Sequence, residues 1–312
     1  MTRPSMPSQP DVAIPAELAA KGDLLLGLLD QAESVLVAYS GGVDSSLLAA
    51  ASHRALGSRA LACIAISPSL GADELATATS VARTIGIRLR RVETHELEME
   101  AYAANTPNRC YVCKGSLFGV LATVAREEGI ACVVYGENAD DSPDFRPGAR
   151  AALEAGVLAP LATAGLKKTE VRALARAYGL PNWNKPAAPC MASRIPYGER
   201  VTVEKLAQLE EAERVLRGLG FREVRVRHHG DVARVELLPD DLERAATVAI
   251  REAILRGLQR LGFHYVALDL QGYRSGSLNE ILGSHDAKLS RGQHKLPVFV
   301  TISDGPVEHQ DG

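Results

Sequence analysis

A glycine- and serine-rich segment at residues 40–46 has the composition of an anion-binding loop. It follows the apolar run 35–39 and precedes the helix-forming run 47–51. In a strand–loop–helix order, backbone N–H groups and the positive end of the helix dipole point into the loop. Glycines let a phosphate approach closely, serine hydroxyls donate hydrogen bonds, and an aspartate can help to hold Mg²⁺. We therefore predict a phosphate site with Asp44 beside it.

This segment differs from the common nucleotide P-loop, because it lacks the lysine of G-x-x-x-x-G-K-[ST]. S-G-G-V-D-S instead resembles the PP-loop of N-type ATP pyrophosphatases, which cleave ATP to AMP and pyrophosphate. The alternative is a Gly-Ser turn that only caps a helix, and the strand–loop–helix context favours the first interpretation. The resemblance implies that Asp44 is catalytic and that ATP is bound by Ser40, Gly41, Gly42, Val43, Asp44 and Ser45.

The five cysteines fall into two groups. Cys63 and Cys132 lie in apolar strand-like runs and are predicted to be small buried side chains. Cys110 and Cys113 form a C-x-x-C at a loop-to-helix junction, and Cys190 lies in a proline-rich segment. Three thiolates can hold three irons of a [4Fe–4S] cluster and leave one iron open, although four cysteines are the common set. Structural zinc needs four ligands, and a redox disulfide is the third possibility, so spacing alone leaves all three open.

Composition restricts the class of protein. The 312 residues exceed one average domain, and the hydrophobic content of 46% can fill a large core. The net charge of −3 gives no basic footprint for nucleic acid. No apolar segment reaches the roughly 18 residues of a membrane span, and the N-terminus lacks the apolar core of a signal peptide. We expect a cytoplasmic protein without structural disulfides.

The first half alternates predicted strands (34–39, 59–67, 88–93, 131–136) with predicted helices (45–56, 72–85, 114–128, 169–178). Apolar strands alternating with helices predict an α/β domain with a doubly wound parallel sheet. Ligands of such a sheet bind at the carboxyl ends of its strands. Ser67, Gly136 and Glu137 fall at such ends, so we predict Ser67 and Gly136 in the cofactor site and Glu137 as a possible Mg²⁺ ligand.

The order of elements changes after a proline-rich linker. A helix (203–219), two strands (221–227 and 232–237), a helix (241–261) and a strand (265–270) suggest a smaller C-terminal α+β domain with a ferredoxin-like arrangement. The predicted organisation is a disordered leader at 1–17, the PP-loop domain at 18–185, the linker carrying Cys190 at 186–202, the α+β domain at 203–290 and a tail at 291–312.

A series of further motifs resembles one family across residues 18–285. After the PP-loop come N-R-C-Y-V-C-K from residue 108, G-E-N from 136, P-A-A-P-C-M-A-S-R-I-P-Y-G from 186, V-R-V-R-H-H-G from 224 and G-Y-R-S-G-S-L-N from 272. This series is similar to the LarE family, the ATP-dependent sulfur transferases of nickel-pincer cofactor biosynthesis. The P-x-x-P-C-x-x-S-R-I and R-S-G-S segments are more selective than the PP-loop.

The resemblance implies a reaction and a set of site residues. Members of the family adenylylate a carboxylate of pyridinium-3,5-biscarboxylic acid mononucleotide, and sulfur then displaces AMP to give a thiocarboxylate. One type sacrifices a single cysteine, which matches Cys190; the other uses three cysteines and a [4Fe–4S] cluster, and Cys110 and Cys113 beside Cys190 match that type. A phosphate and carboxylates on the substrate call for arginines. The residues implied are Cys190 and Arg194 for catalysis, Arg194, Arg225, Arg227 and Arg274 for the substrate, and Glu137 and Glu236 as possible Mg²⁺ ligands; for Arg194, Arg225 and Arg227 a solvated surface position is the alternative, and for Glu236 an exposed strand face.

Three further expectations follow from the same resemblance. The implied cofactors are ATP, Mg²⁺ and the cluster, and the implied assembly is a homo-oligomer, with a hexamer of two trimers as one form; the sulfide donor is unknown. The alternatives are a PP-loop tRNA thiolase, which the negative charge disfavours, and a nucleotide- or metal-binding sensor, which the P-C-x-x-S-R-I segment disfavours.

Overall fold

A four-stranded parallel sheet organises the first half of the chain. The computed structural model describes residues 14–141, 147–186 and 188–274. The sheet has the order β3-β2-β1-β4, and β1 pairs in parallel with both β2 and β4. This confirms the predicted α/β class with a parallel sheet. The strands are β1 (Val35–Ala38), β2 (Ala60–Ile66), β3 (Arg88–Glu93) and β4 (Cys132–Tyr135).

Helices flank this sheet. They are α1 (Ala16–Gln31), α2 (Val43–Leu56), α3 (Ala72–Ile85), α4 (Glu100–Ala103), α5 (Arg109–Glu127), α6 (Pro147–Glu154), α7 (Pro160–Thr163) and α8 (Lys168–Ala177). The sequence did not predict α1, which buries Leu18, Leu25 and Leu29. Helix α5 begins at Arg109 rather than at residue 114; the preceding Pro107-Asn108 is a helix-start signal that the prediction did not use. The C-x-x-C therefore lies within the first turns of α5.

The C-terminal part has the predicted α+β composition. Its three strands form a mixed sheet in the order β5-β6-β7, with β5 antiparallel and β7 parallel to β6. The ferredoxin-like suggestion is wrong for the described residues, because that arrangement needs four strands. The helix predicted over 241–261 is broken at Thr247, whose ψ of 146° is extended. The elements are α9 (Val203–Gly218), β5 (Val224–His229), β6 (Val232–Leu237), α10 (Leu242–Ala246), α11 (Val248–Gln259) and β7 (Tyr265–Leu268).

Two segments lie between the core of the parallel sheet and the core of the C-terminal part. Tyr102, Met191, Ala192 and Ile195 are buried in the C-terminal core although they precede α9, and Cys113 packs against the same core. The domain boundaries given above remain predictions. Most of the predicted leader, the tail and the R-S-G-S segment beyond Arg274 lie outside the described residues. Among the described helices, none is long and apolar enough to cross a membrane.

Candidate active site

The PP-loop lies between the end of β1 and the start of α2. Gly42 is the residue before the helix, with extended backbone, and a Cβ placed there would approach only Ser40 Oγ, at 3.5 Å. Gly41 has a φ of +73°, and a Cβ there would lie 2.4 Å from Ala78 Cβ. Ser45 Oγ donates to Gly42 O at 3.1 Å and accepts from Ser40 N at 3.2 Å. Gly42 thus leaves space for a ligand, whereas Gly41 lets the loop pack against α3.

The end of β4 and the linker form the second wall of the loop. A Cβ on Gly136 would lie 2.8 Å from Ser45 N, so only glycine fits beside the start of α2. Asn138 Nδ2 donates to Asp44 Oδ1 at 3.3 Å, and Glu137 is half-buried next to it. From the linker, Asn182 Nδ2 donates to Gly41 O at 3.0 Å and to Ser46 Oγ at 2.9 Å. The loop is therefore held from three separate segments.

Lys168, at the start of α8, supplies the cation that the loop itself lacks. Its Nζ forms an ion pair with Asp44, and its backbone N donates to Asp140 Oδ2 at 2.8 Å. Lysines in P-loops contact the β- and γ-phosphates. The sequence prediction missed Lys168, because no local motif connects it to a loop more than a hundred residues earlier.

The segment carrying Cys190 is attached to the carboxyl end of β2. Met191 N donates to Ser69 O at 3.1 Å, and Ser69 N donates to Ser67 Oγ at 3.2 Å. Cys190 itself is exposed. The predicted residue Ser67 therefore supports the turn that receives the Cys190 segment, and Cys190 lies at the edge of the sheet from which the PP-loop emerges.

The three thiols outside the strands influence one another. Cys110 and Cys113 lie three positions apart in α5 and so share one face of the helix. Burial raises the pKa of Cys113 to about 12, and the charge of Cys190 contributes in the same direction. Burial and the Cys190 charge also raise the pKa of Cys110. The fold thus brings Cys190 near both helix thiols.

The donor set of these three thiols fits an iron–sulfur cluster, since thiolates are its usual ligands. Among the described residues, no three His, Cys, Asp or Glu side chains are already gathered in a metal-holding arrangement. The other two cysteines behave differently: Cys63 is buried in β2 and Cys132 is half-buried in β4, and burial raises the pKa of each to about 11.

Arg194 and Arg227, predicted to bind substrate, are buried and already paired with carboxylates. Arg194 Nε donates to Glu213 Oε1 at 2.9 Å, and its Nη1 donates to Pro189 O at 2.6 Å and to Cys190 O at 3.3 Å. Arg227 donates twice to Glu236, at 2.9 and 3.0 Å, and once to Ser193 O at 2.7 Å. The solvated alternative for both arginines is wrong. Both arginines hold the backbone around Cys190.

Glu236 and Arg225 lie in the same sheet. Glu236 is 1% exposed, so the exposed-face alternative is wrong, and its carboxylate also accepts from Arg234 at 3.1 Å. Arg225 is buried too; it donates to Tyr273 Oη at 2.8 Å and lies 4.4 Å above that ring. Burial lowers its pKa. Within the described part of the chain, no carboxylate is within ion-pair distance of Arg225. Arg274 donates to Gly272 O at 3.3 Å.

Lys114 was also missed by the sequence prediction. It follows the C-x-x-C directly, and its Nζ lies 5.0 Å above the ring of Tyr135 at the end of β4. Burial lowers its pKa, and the charges of Glu137, Cys110 and Cys113 act in the opposite direction. Lys114 therefore stands between the wall of the PP-loop and the helix thiols.

The parallel sheet, the PP-loop and the lysine beside it define an ATP-dependent enzyme of the PP-loop class, which forms AMP and pyrophosphate. The family model for NAD synthase matches residues 29–116. The chain is also similar to a glutamine-hydrolysing GMP synthase chain of Methanococcus maripaludis, with 34% identity over 194 residues, 57% of this chain and 61% of that protein.

Two relatives match nearly their whole length. An uncharacterised protein of Synechocystis is 44% identical over 265 residues, 85% of this chain and 99% of that protein. The pyridinium-3,5-bisthiocarboxylic acid mononucleotide synthase of Lactiplantibacillus plantarum is 38% identical over 268 residues, 86% of this chain and 96% of that protein. The chain belongs to the LarE family.

Proposed function

We propose that this enzyme converts a carboxylate of pyridinium-3,5-biscarboxylic acid mononucleotide into a thiocarboxylate at the expense of ATP. The observation that carries the proposal is the hydrogen bond from Met191 N to Ser69 O, which holds the Cys190 segment at the sheet edge that bears the PP-loop. A carboxylate is a poor acyl donor, and adenylylation gives it a good leaving group. Placing a thiol beside the activation site lets one bound substrate undergo both steps.

The PP-loop side activates the substrate. The backbone N–H groups at the start of α2 and the ammonium of Lys168 stabilise the departing pyrophosphate, because fixed donors and charges act on the negative charge that develops there. Asp44 and Glu137 are the carboxylates that would hold Mg²⁺ at this end of the crevice. Glu236 is a weaker candidate, since Arg227 and Arg234 already occupy its oxygens.

The thiol side delivers the sulfur. Cys110, Cys113 and Cys190 would hold a [4Fe–4S] cluster, which supplies an iron with an open position for sulfide. The alternative within the same family is that Cys190 gives up its own sulfur. In both routes the backbone bonds from Arg194 and Arg227 set the position of Cys190 rather than contact the substrate first.

Arg225 is the strongest of the four arginines for the substrate. It has a buried guanidinium with a hydroxyl partner, so it keeps donors for a phosphate or a carboxylate. Arg194, Arg227 and Arg274 remain further candidates. We also propose a cytoplasmic homo-oligomer, as the family resemblance implies.

The product assay tests the proposal. With Mg²⁺, ATP, sulfide and the pyridinium dicarboxylate mononucleotide, we expect pyrophosphate, AMP and a thiocarboxylate detected by mass spectrometry. ADP and phosphate as main products, or sulfur transferred to tRNA in place of the mononucleotide, would contradict it.

The route of the sulfur has a separate test. Serine in place of Cys110, Cys113 or Cys190 should abolish thiocarboxylate formation and the cluster absorbance while sparing pyrophosphate release, and Cys63→Ala and Cys132→Ala should do neither. If Cys190 is sacrificed instead, the intact chain should lose about 34 Da, the mass of H₂S, after one turnover. Multiple turnovers with unchanged mass would support the cluster.

A further inference from the structure

Asn105 connects the segment before α5 to the segment that follows Cys190. It is fully buried, and its φ of +54° is left-handed. Its Nδ2 donates to Ile195 O at 3.2 Å, to Pro196 O at 2.7 Å and to Glu199 O at 2.9 Å. Its backbone O accepts from Gly198 N at 3.1 Å. One residue thus fixes the stretch of backbone just beyond Cys190.

Arg109, the first residue of α5, continues this connection to the thiols. Its guanidinium is 2% exposed; Nη1 donates to Asn105 Oδ1 and, at 2.9 Å, to Ala192 O. Its charge and a hydrogen bond from it oppose the effects of burial and of Cys190 that raise the pKa of Cys110. Arg109 is therefore in contact with one thiol and with the backbone two residues beyond another.

The surroundings of Arg109 leave its charge open to an anion. In the described ranges no Asp or Glu lies within ion-pair distance of it, and its Nε is buried without a hydrogen-bond acceptor. An isolated buried charge is costly unless an anion compensates it. The anionic groups that act on Arg109 are Cys190, Cys110 and two tyrosines. The site is therefore built to hold negative charge on sulfur.

We propose that Asn105 and Arg109 are positioning residues that hold Cys190 against the C-x-x-C turn and supply the positive charge for an anionic sulfur site. This inference rests on the proposed function, in which the three thiols act together. It assigns the register between two distant segments to one asparagine–arginine pair instead of to general packing.

The test measures thiol proximity directly. In a chain with Cys63→Ala, Cys132→Ala and Cys113→Ser, only Cys110 and Cys190 remain. Dibromobimane then bridges the two thiols, each thiolate displacing one bromide, and the bridged product is counted by mass spectrometry and fluorescence. Asn105→Gly is the decisive variant, because glycine accepts the left-handed backbone while all side-chain hydrogen bonds are lost. Arg109→Lys keeps a positive charge but loses the two-pronged donation. Arg200→Ala, at an exposed pair with Glu100, is the control.

We expect efficient bridging in the parent and the control, and a loss of roughly tenfold in both Asn105→Gly and Arg109→Lys, because small displacements strongly reduce reaction between positioned groups. Pyrophosphate release by the same substitutions in the natural chain should persist, which shows that the PP-loop part has folded. Equal bridging in all variants would overturn the positioning role, and no bridging in the parent would overturn the juxtaposition itself. A missing thiocarboxylate with intact bridging would instead count against the proposed function.

Discussion

The PP-loop region and the thiol region are built in opposite ways. The PP-loop is a contiguous segment whose shape follows from a strand, two glycines and the start of a helix. The thiol region joins the first turns of α5 to a segment about eighty residues later, and side chains tie the two together through backbone carbonyls. A local motif can encode the first kind of site. The second exists only when two cores have packed against each other.

The difference has an energetic side. Arg194–Glu213 and Arg227–Glu236 are nearly inaccessible ion pairs. Removing one partner of such a pair leaves a buried charge, whereas the PP-loop contains mostly backbone and hydroxyl groups. Changes in the PP-loop should therefore affect chemistry more than stability, and changes around the thiols should affect both.

The largest effect should come from Gly42→Val. The new side chain fills the space next to Ser40 where phosphate is expected, so pyrophosphate release should fall by at least roughly 10²–10³-fold with little loss of stability. Asp44→Ala should give a similar loss. Gly27→Val, at an open position in α1, is the control.

Gly41→Val sharpens the same comparison. Its positive φ and the close approach of Ala78 should cost about 2–4 kcal/mol of folding free energy as well as activity. Urea denaturation of the Gly41 and Gly42 variants checks this. Equal stability of the two would contradict the different roles of the two glycines.

Lys168→Met should lower pyrophosphate release by about 10²-fold, because it removes the ammonium beside Asp44 from the phosphate end of the loop. Lys167→Met, at the exposed neighbouring lysine, should leave the rate unchanged. A rate unaffected by loss of Lys168 would mean that backbone groups alone stabilise the leaving group.

Glu213→Gln should break the buried pair with Arg194 and lower the free energy of unfolding by about 3–5 kcal/mol. Thiocarboxylate formation should fall, because Arg194 holds the carbonyl of Cys190. Glu211→Gln, at an exposed pair with Arg214, should cost less than about 1 kcal/mol. Urea denaturation measures both variants, and similar losses would refute the distinction.

The smallest effect concerns pH. Burial lowers the pKa of His228 below its ordinary 6.5, with Lys205 and His229 acting in the same direction and Glu199 against it. The unfolded chain therefore takes up this proton first, and stability should fall as the pH drops below about 6.5. His228→Phe should remove less than about 1 kcal/mol of that decline between pH 7 and pH 6. Exchange of the exposed His264 for Gln is the control, and an unchanged pH profile in His228→Phe would contradict the prediction.

Particular residues show how far the sequence can be interpreted. Every strand of the parallel sheet was predicted to within about one residue, because β1 and β2 are continuous apolar runs. The start of α5 was missed because its first residues are polar and cysteine-rich, and α1 was not predicted at all. The burial of Arg194, Arg227 and Glu236 was not predictable, since charged side chains are normally exposed unless a partner is known.

The sequence by itself determined the fold class, the PP-loop and the identity of the three distinctive thiols, because these depend on local composition and spacing. Only the tertiary structure decided that Lys168 reaches Asp44, that Asn105 and Arg109 hold the Cys190 segment, and that two of the predicted substrate arginines are already paired. Those contacts join residues far apart in the chain. Their formation depends on how the two cores pack, which no local pattern specifies.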